Sequence, residues 1–163
     1  MTPPYRVGDE LPPLEIPVTR TLIVAGAIAS RDYQDVHHDA ASAREKGSPD
    51  IFMNILTTNG LVGRYITDHF GPTAVLRKVA IRLGAPNYPG DVLRLTGRIT
   101  ELRTADTSSA DTSSADTSSD EVVDAVEAIE AVVQVTGGNG IGRHVTGTVA
   151  VTLPEPSAKR AGA

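Results

Sequence analysis

The sequence predicts an α+β domain in which an antiparallel sheet wraps around one long central helix. Apolar residues at helical spacing run from Ile51 to Phe70, and the period switches to alternation from Val75 onward. The 163 residues are 40% hydrophobic and 21% charged, which supports one soluble core rather than two.

Met1 to Pro17 holds five of the eleven prolines. These fix φ and remove backbone donors, so the segment reads as an extended lead-in along the surface. The run Leu22-Ile23-Val24-Ala25-Gly26-Ala27-Ile28-Ala29, within Thr21 to Ala29, is short, nearly all apolar and partly β-branched; a buried strand is expected there. Ser30 to Asp39 is polar and dense in titratable groups, a site-like segment. Ala40 to Lys46 favours helix, and Gly47-Ser48-Pro49-Asp50 stops it.

In the long helical candidate, Ile51, Ile55, Val62 and Ile66 join Phe52, Leu56, Tyr65 and Phe70 at helical spacings. At 1.5 Å per residue it spans about 25–30 Å, enough to cross a small sheet. Its small polar centre, Thr57-Thr58-Asn59-Gly60, permits a neighbouring backbone to come close, and Gly71-Pro72 ends it.

Val75 to Leu83, Leu93 to Thr100 and Val145 to Leu153 each alternate as half-buried antiparallel strands do. Ala85 to Asp91 is a turn by composition. In Val122 to Val135 the acids Asp124, Glu127 and Glu130 recur every third residue, whereas Val123, Ala125, Ile129, Ala131, Val133 and Val135 alternate. A strand is favoured, because Gly137-Gly138-Asn139-Gly140 reads as a hairpin into the last strand. Ala105-Asp106-Thr107-Ser108-Ser109 is copied at 110–114 and 115–119. With nothing larger than Thr it offers no core, so a disordered loop is expected over 104–120, an acidic interaction tail being the alternative. The folded domain is expected over 18–156, with a flexible tail at 157–163.

Absence of cysteine excludes a disulfide scaffold, a thiolate zinc site and a cysteine nucleophile, and fits a reducing compartment. No apolar run approaches the roughly 18 residues of a membrane span, and the N-terminus lacks a signal-peptide pattern, so the cytoplasm is the expected location. A net charge of −5 argues against nucleic acid. That average hides an asymmetry: residues 105–130 hold eight acids and no Lys or Arg, leaving +3 elsewhere. Arg77, Lys78, Arg82, Arg94 and Arg98 are candidates for a polyanion such as the phosphates of coenzyme A, or simply solvated strand-face charges.

Within the site-like segment, Asp32-Tyr33-Gln34-Asp35-Val36-His37 resembles the motif of MaoC-like proteins and (R)-specific enoyl-CoA hydratases, Asp-x-Asn-Pro-aliphatic-His. Gln34 stands for Asn, Asp35 for Pro, and Arg31 for the usual preceding Gly. Ser30 to Asp39, then Gly47 to Val62, is similar to the small MaoC-like subunit of heteromeric hydratases acting on steroid side-chain enoyl-CoA esters in bacterial sterol catabolism. The similarity covers about residues 8–103 and 122–153. It implies a hotdog fold, in which the sheet enfolds the long helix, and a hydratase activity with Asp32 and His37 as the catalytic pair. By position it puts Asn54 where a Gly backbone N–H usually holds the thioester oxygen; Asn is among the less costly replacements should φ there be positive. It also implies a bulky steroid-derived substrate, a larger MaoC-like partner in an α2β2 heterotetramer, and no metal or redox cofactor, coenzyme A being part of the substrate.

The chemistry suits these residue types. Hydrating a double bond conjugated to a thioester needs a base for water, an acid for the α-carbon and donors for the enolate oxygen. An imidazole and a carboxylate facing one water supply both proton movements, and amides at a helix start supply the donors. His38 is the alternative imidazole. Asp35 and Asp39 with His37 or His38 would be the composition of a metal site, although Asp39 most simply caps the following helix. Tyr5, Tyr33, Tyr65 and Tyr88 read as packing. A hotdog thioesterase commonly carries a carboxylate on the long helix, where Asn54 to Thr67 has none; a non-catalytic acyl-CoA-binding or assembly subunit is the other competing reading.

Overall fold

A computed structural model describes residues 5–105 and 128–154. Most of the Ala-Asp-Thr-Ser-Ser repeat and the expected 157–163 tail lie outside the described residues.

Five strands form one antiparallel sheet: β1 Glu10–Pro17, β2 Val75–Leu83, β3 Val92–Ala105, β4 Ala128–Gly138 and β5 Arg143–Pro154, in the order β1-β3-β4-β5-β2. Three α-helices, α1 Arg20–Ala29, α2 Ala40–Glu45 and α3 Ile55–Phe70, fall between β1 and β2. The sheet therefore begins at Glu10, inside the proline-rich segment. Pro12, Pro13 and Pro17 are tolerated because β1 is an edge strand, and the pairing register with β3 slips between Leu11 and Leu14. The Tyr65 hydroxyl donates to the carbonyls of Leu11 and Pro12, at 3.3 and 3.0 Å, where that slip begins.

Alternation builds the sheet's two faces. Leu93, Leu95 and Ile99 of β3, Ala131, Val133 and Val135 of β4, and Val145, Val149, Val151 and Leu153 of β5 are buried on one face. Against it α3 lays Val62, Tyr65, Ile66 and Phe70. Each such aliphatic or aromatic side chain contributes about 1.5–3 kcal/mol on burial. The opposite face carries Arg94, Thr96 and Arg98 in solvent.

Three expectations are corrected. Thr21–Ala29 is helical, not a buried strand: Thr19 caps it by accepting the Leu22 N–H at 3.0 Å, and only Ile23 and Ala27, one turn apart, are buried. An apolar run of this length carries no period of its own, so the cap and one-sided burial decide it. The long helix begins at Ile55, not Ile51, because Asn54 is its N-cap; Ile51 to Met53 are a non-helical approach whose Met53 N–H bonds the Asn87 carbonyl at 3.0 Å. Strand β4 runs through Gly137 and Gly138, so the hairpin turn is Asn139–Gly142, with the Asn139 side chain accepting from Ile141 and Gly142 N–H.

Candidate active site

The end of α1 sets the site. Arg31 N–H bonds the Ile28 carbonyl at 3.0 Å and Asp32 N–H bonds the Ala27 carbonyl at 2.9 Å, a Schellman termination that needs a left-handed residue after the cap. Arg31 occupies it with φ +58°, the one described non-glycine residue with positive φ. This is where the related motif carries Gly. The reversal delivers Asp32 to the start of the site loop.

His37 closes a short 3₁₀ turn, Asp35–His37. The residue is 6% exposed and its Nδ1 lies 2.7 Å from the Phe52 carbonyl oxygen. A carbonyl only accepts, so Nδ1 carries a proton, and the tautomer of the neutral ring that this selects turns its Nε2 lone pair outward. The Phe52 ring packs edge-on against the imidazole with centroids 5.0 Å apart. Nε2 faces Asp32 Oδ2 at 3.4 Å, close enough for one water to touch both.

Asn54 ties this pair to α3. Its Oδ1 accepts the Thr57 N–H at 2.9 Å, while its Nδ2 donates to Asp32 Oδ2 at 3.0 Å and Ser30 Oγ at 2.9 Å. That bond is the main reason the Asp32 carboxyl is held below its usual pKa, against the opposing effect of burial; the Gln34 N–H and the His37 ring add to it. Asn54 has φ −78°, so the positive φ considered for it is absent. No acceptor among the described residues takes its backbone N–H. The sequence placed a backbone donor here; the side chain that holds Asp32 went unforeseen.

A cleft of about 350 Å³ opens in front of these groups, bounded by Asp32, His37, Asn54 and Ile55 on one side and by Leu83–Pro86 and His144 on the other. His144 was missed for a physical reason. Alternation along β5 assigns it to the solvent face, but the β4–β5 register slips between Gly137↔Val145 and Gly138↔Arg143. The extra residue of that bulge is His144, which turns inward and is 1% exposed.

Among the other candidates, His38 is exposed, with Nε2 3.2 Å from the Tyr33 carbonyl, and does not line the cleft. Asp35 accepts from Ser42 Oγ and Lys46 Nζ, both at 2.6 Å, which drives its carboxyl far below the usual range. Asp39 caps α2 through the N–H groups of Ala41 and Ser42. No group of three metal-ligating side chains converges among the described residues. Arg94 and Arg98 pair with Glu15 and Glu10, and Arg77 bonds Thr152. Two wider grooves, of about 560 and 540 Å³, cross the solvent face of the sheet past Arg94; neither reaches Asp32 or His37. Asp68, the first acid on α3, pairs with Arg64 away from the cleft, so that helix brings no carboxylate to it. No helix among the described residues is long and apolar enough to cross a membrane.

One sheet folded over one long helix, with the loop before that helix facing the cleft, is the hotdog arrangement of the hydratases. The (R)-hydratase from A. caviae involved in PHA biosynthesis superposes with a TM-score of 0.71 at 18% identity, over 93% of this chain and 98% of its own. A MaoC-like dehydratase from Rhodospirillum rubrum gives 0.69 at 19% identity, over 93% and 94% of the two chains. The chain is 40% identical, over 90% of its length and 95% of the relative's, to the 3-oxo-4,17-pregnadiene-20-carboxyl-CoA hydratase beta subunit of Mycobacterium tuberculosis. It is a hydratase of the MaoC-like family. A chain of the ChsH1-ChsH2 complex from Mycobacterium tuberculosis matches with a TM-score of 0.73 and 38% identity, over 94% of this chain and 99% of that one. No family model matches the chain.

Proposed function

We propose that this chain is the small subunit of a cytoplasmic hydratase that adds water across the double bond of a steroid side-chain enoyl-CoA thioester, in an α2β2 assembly with a larger MaoC-like subunit. Its similarity to a beta subunit named for a pregnadiene carboxyl-CoA, and to a chain crystallised in a two-component complex, supports the substrate class and the partner. The observation that carries the chemistry is the 3.4 Å approach of Asp32 Oδ2 to His37 Nε2 on the wall of the cleft.

A water held between the two atoms donates one hydrogen to the Asp32 carboxylate and the other to His37 Nε2. As the water oxygen bonds to the β-carbon, Nε2 takes its proton and the π electrons move toward the thioester carbonyl. The Asn54 N–H, at the start of α3, stabilises the enolate oxygen, aided by the positive end of the helix dipole. The imidazolium then returns the proton to the α-carbon on the same face, and His37 is regenerated. Asp32 stays ionised throughout; it orients the water and stabilises the transient imidazolium. The reaction needs no metal or redox group.

The test is co-expression with candidate larger MaoC-like subunits, followed by hydration assays on steroid side-chain and short linear enoyl-CoA esters. Asp32→Asn and His37→Ala should each lower the rate by about 10²–10⁴-fold, the usual weight of general acid–base catalysis. Undiminished hydration in both variants would remove the dyad, and activity confined to short linear chains would remove the steroid substrate alone.

A further inference from the structure

The cleft contains a second imidazole that the hydration chemistry leaves unused. His144 lies beneath the cleft at the β5 bulge and bonds to both walls. Its Nδ1 is 2.6 Å from the Ala85 carbonyl oxygen, in the loop after β2, and its Nε2 is 2.9 Å from Thr58 Oγ1, in the first turn of α3. Because the Ala85 carbonyl only accepts, Nδ1 carries the proton in the neutral ring and Nε2 is the acceptor. The Thr58 hydroxyl, with one hydrogen and the Asn54 carbonyl farther off at 3.3 Å, therefore donates to Nε2 at 2.9 Å. Burial lowers the His144 pKa, with the Ala85 carbonyl and Asp91 opposing, which favours this neutral form.

Thr58 is one helical turn beyond Asn54, and its N–H bonds the Asn54 carbonyl at 3.2 Å. The imidazole is thus a strut. On one side it holds the turn whose first residue carries the free N–H and grips Asp32; on the other it holds the backbone opposite. A core needing only stability at this point has cheaper solutions, since a buried imidazole must find partners for both nitrogens or lose stability.

We infer that His144, acting through its hydrogen bond to Thr58, is a positioning residue that holds the Asn54 amide and Asp32 at the geometry required in the transition state. This rests on the hydratase reading above. An amide displaced by a few tenths of an ångström still admits substrate but stabilises the enolate oxygen less, so the effect belongs in kcat rather than KM.

The experiment uses the co-expressed assembly and three single variants. Thr58→Val removes the hydroxyl at constant shape. His144→Asn keeps a donor for Ala85 but loses the Nε2 acceptor. Each should lower kcat about tenfold with KM within about twofold, as expected for a lost transition-state interaction. Thr58→Ser, which keeps the hydroxyl, should restore kcat to within about twofold of the unsubstituted assembly. The double variant His144→Asn/Thr58→Val should be no slower than either single one, because both remove one bond. Unchanged kcat in folded Thr58→Val assembly, multiplicative losses in the double variant, or a change confined to KM would overturn the inference and leave the hydratase reading standing. No hydration of any enoyl-CoA ester by the unsubstituted assembly would overturn both.

Discussion

Asn54 Nδ2 donates to Asp32 Oδ2 at 3.0 Å, the same oxygen that faces His37 Nε2 at 3.4 Å. One carboxylate oxygen thus receives a fixed donor on one side and looks onto the imidazole on the other, which keeps it ionised and aimed.

Replacing Asn54 by Ala removes that donor and the α3 cap together. The Asp32 pKa should rise toward its ordinary value, as read by carbon NMR of the labelled carboxyl. The lost cap should cost about 1 kcal/mol in denaturant unfolding at fixed protein concentration. An Asp32 titration identical in the variant would show that the bond does not govern its charge.

Arg31 should be a stability liability. Its φ of +58° costs a residue bearing a Cβ about 1–2 kcal/mol, a cost partly offset because glycine has more freedom to lose on folding. Arg31→Gly is therefore expected to raise stability by up to about 1 kcal/mol. Arg31→Val, β-branched at a left-handed position, should lower it, and a melting series of the two checks the sign.

Helices α1 and α3 touch where Gly26 meets Thr57. A Cβ on Gly26 would fall inside van der Waals contact of the Thr57 side chain. Gly26→Ala must push the helices apart or force Thr57 off its rotamer, at about 1–3 kcal/mol. Since Ser30 and Asp32 follow directly from α1 and bond to Asn54, hydration should fall as well; full activity with unchanged melting would show that the helices separate freely.

Acid should destabilise the protein in two stages. His144 and His69 are both held below the ordinary histidine value by burial, so the unfolded chain binds their protons first. Stability is full above about pH 6.5 and declines as pH drops through the window between that value and the lower folded ones. Asp32, Asp35 and Asp50, all with lowered pKa, contribute stability that is full above about pH 4 and is lost as pH falls through their folded values. Melting temperatures from pH 8 to 3 should show both declines, and His144→Asn should shrink the upper one, leaving the share that His69 contributes.

The main elements were legible because their signals are local. The stripe through Val62 and Ile66 requires a helix, and the alternation through Val145, Val149 and Val151 requires a strand with one buried face. Asp32 and His37 were singled out as a pair by the resemblance of their loop to the MaoC-like motif, and the structure brings Oδ2 and Nε2 within 3.4 Å. The run from Leu22 to Ala29 misled, since a short apolar stretch satisfies strand and helix alike until Thr19 is seen capping it.

What the sequence by itself determined is therefore the sheet-around-helix plan, because periodicity is a property of neighbours along the chain, while the resemblance of one loop to a known motif singled out Asp32 and His37. What only the tertiary structure decided is how those residues are held. The Asn54 amide reaches Asp32 across 22 positions, and a one-residue slip in strand pairing turns His144 from solvent to the floor of the cleft. Hydrogen bonds between distant segments and the register of a sheet depend on which backbones meet, and that is settled only when the core closes.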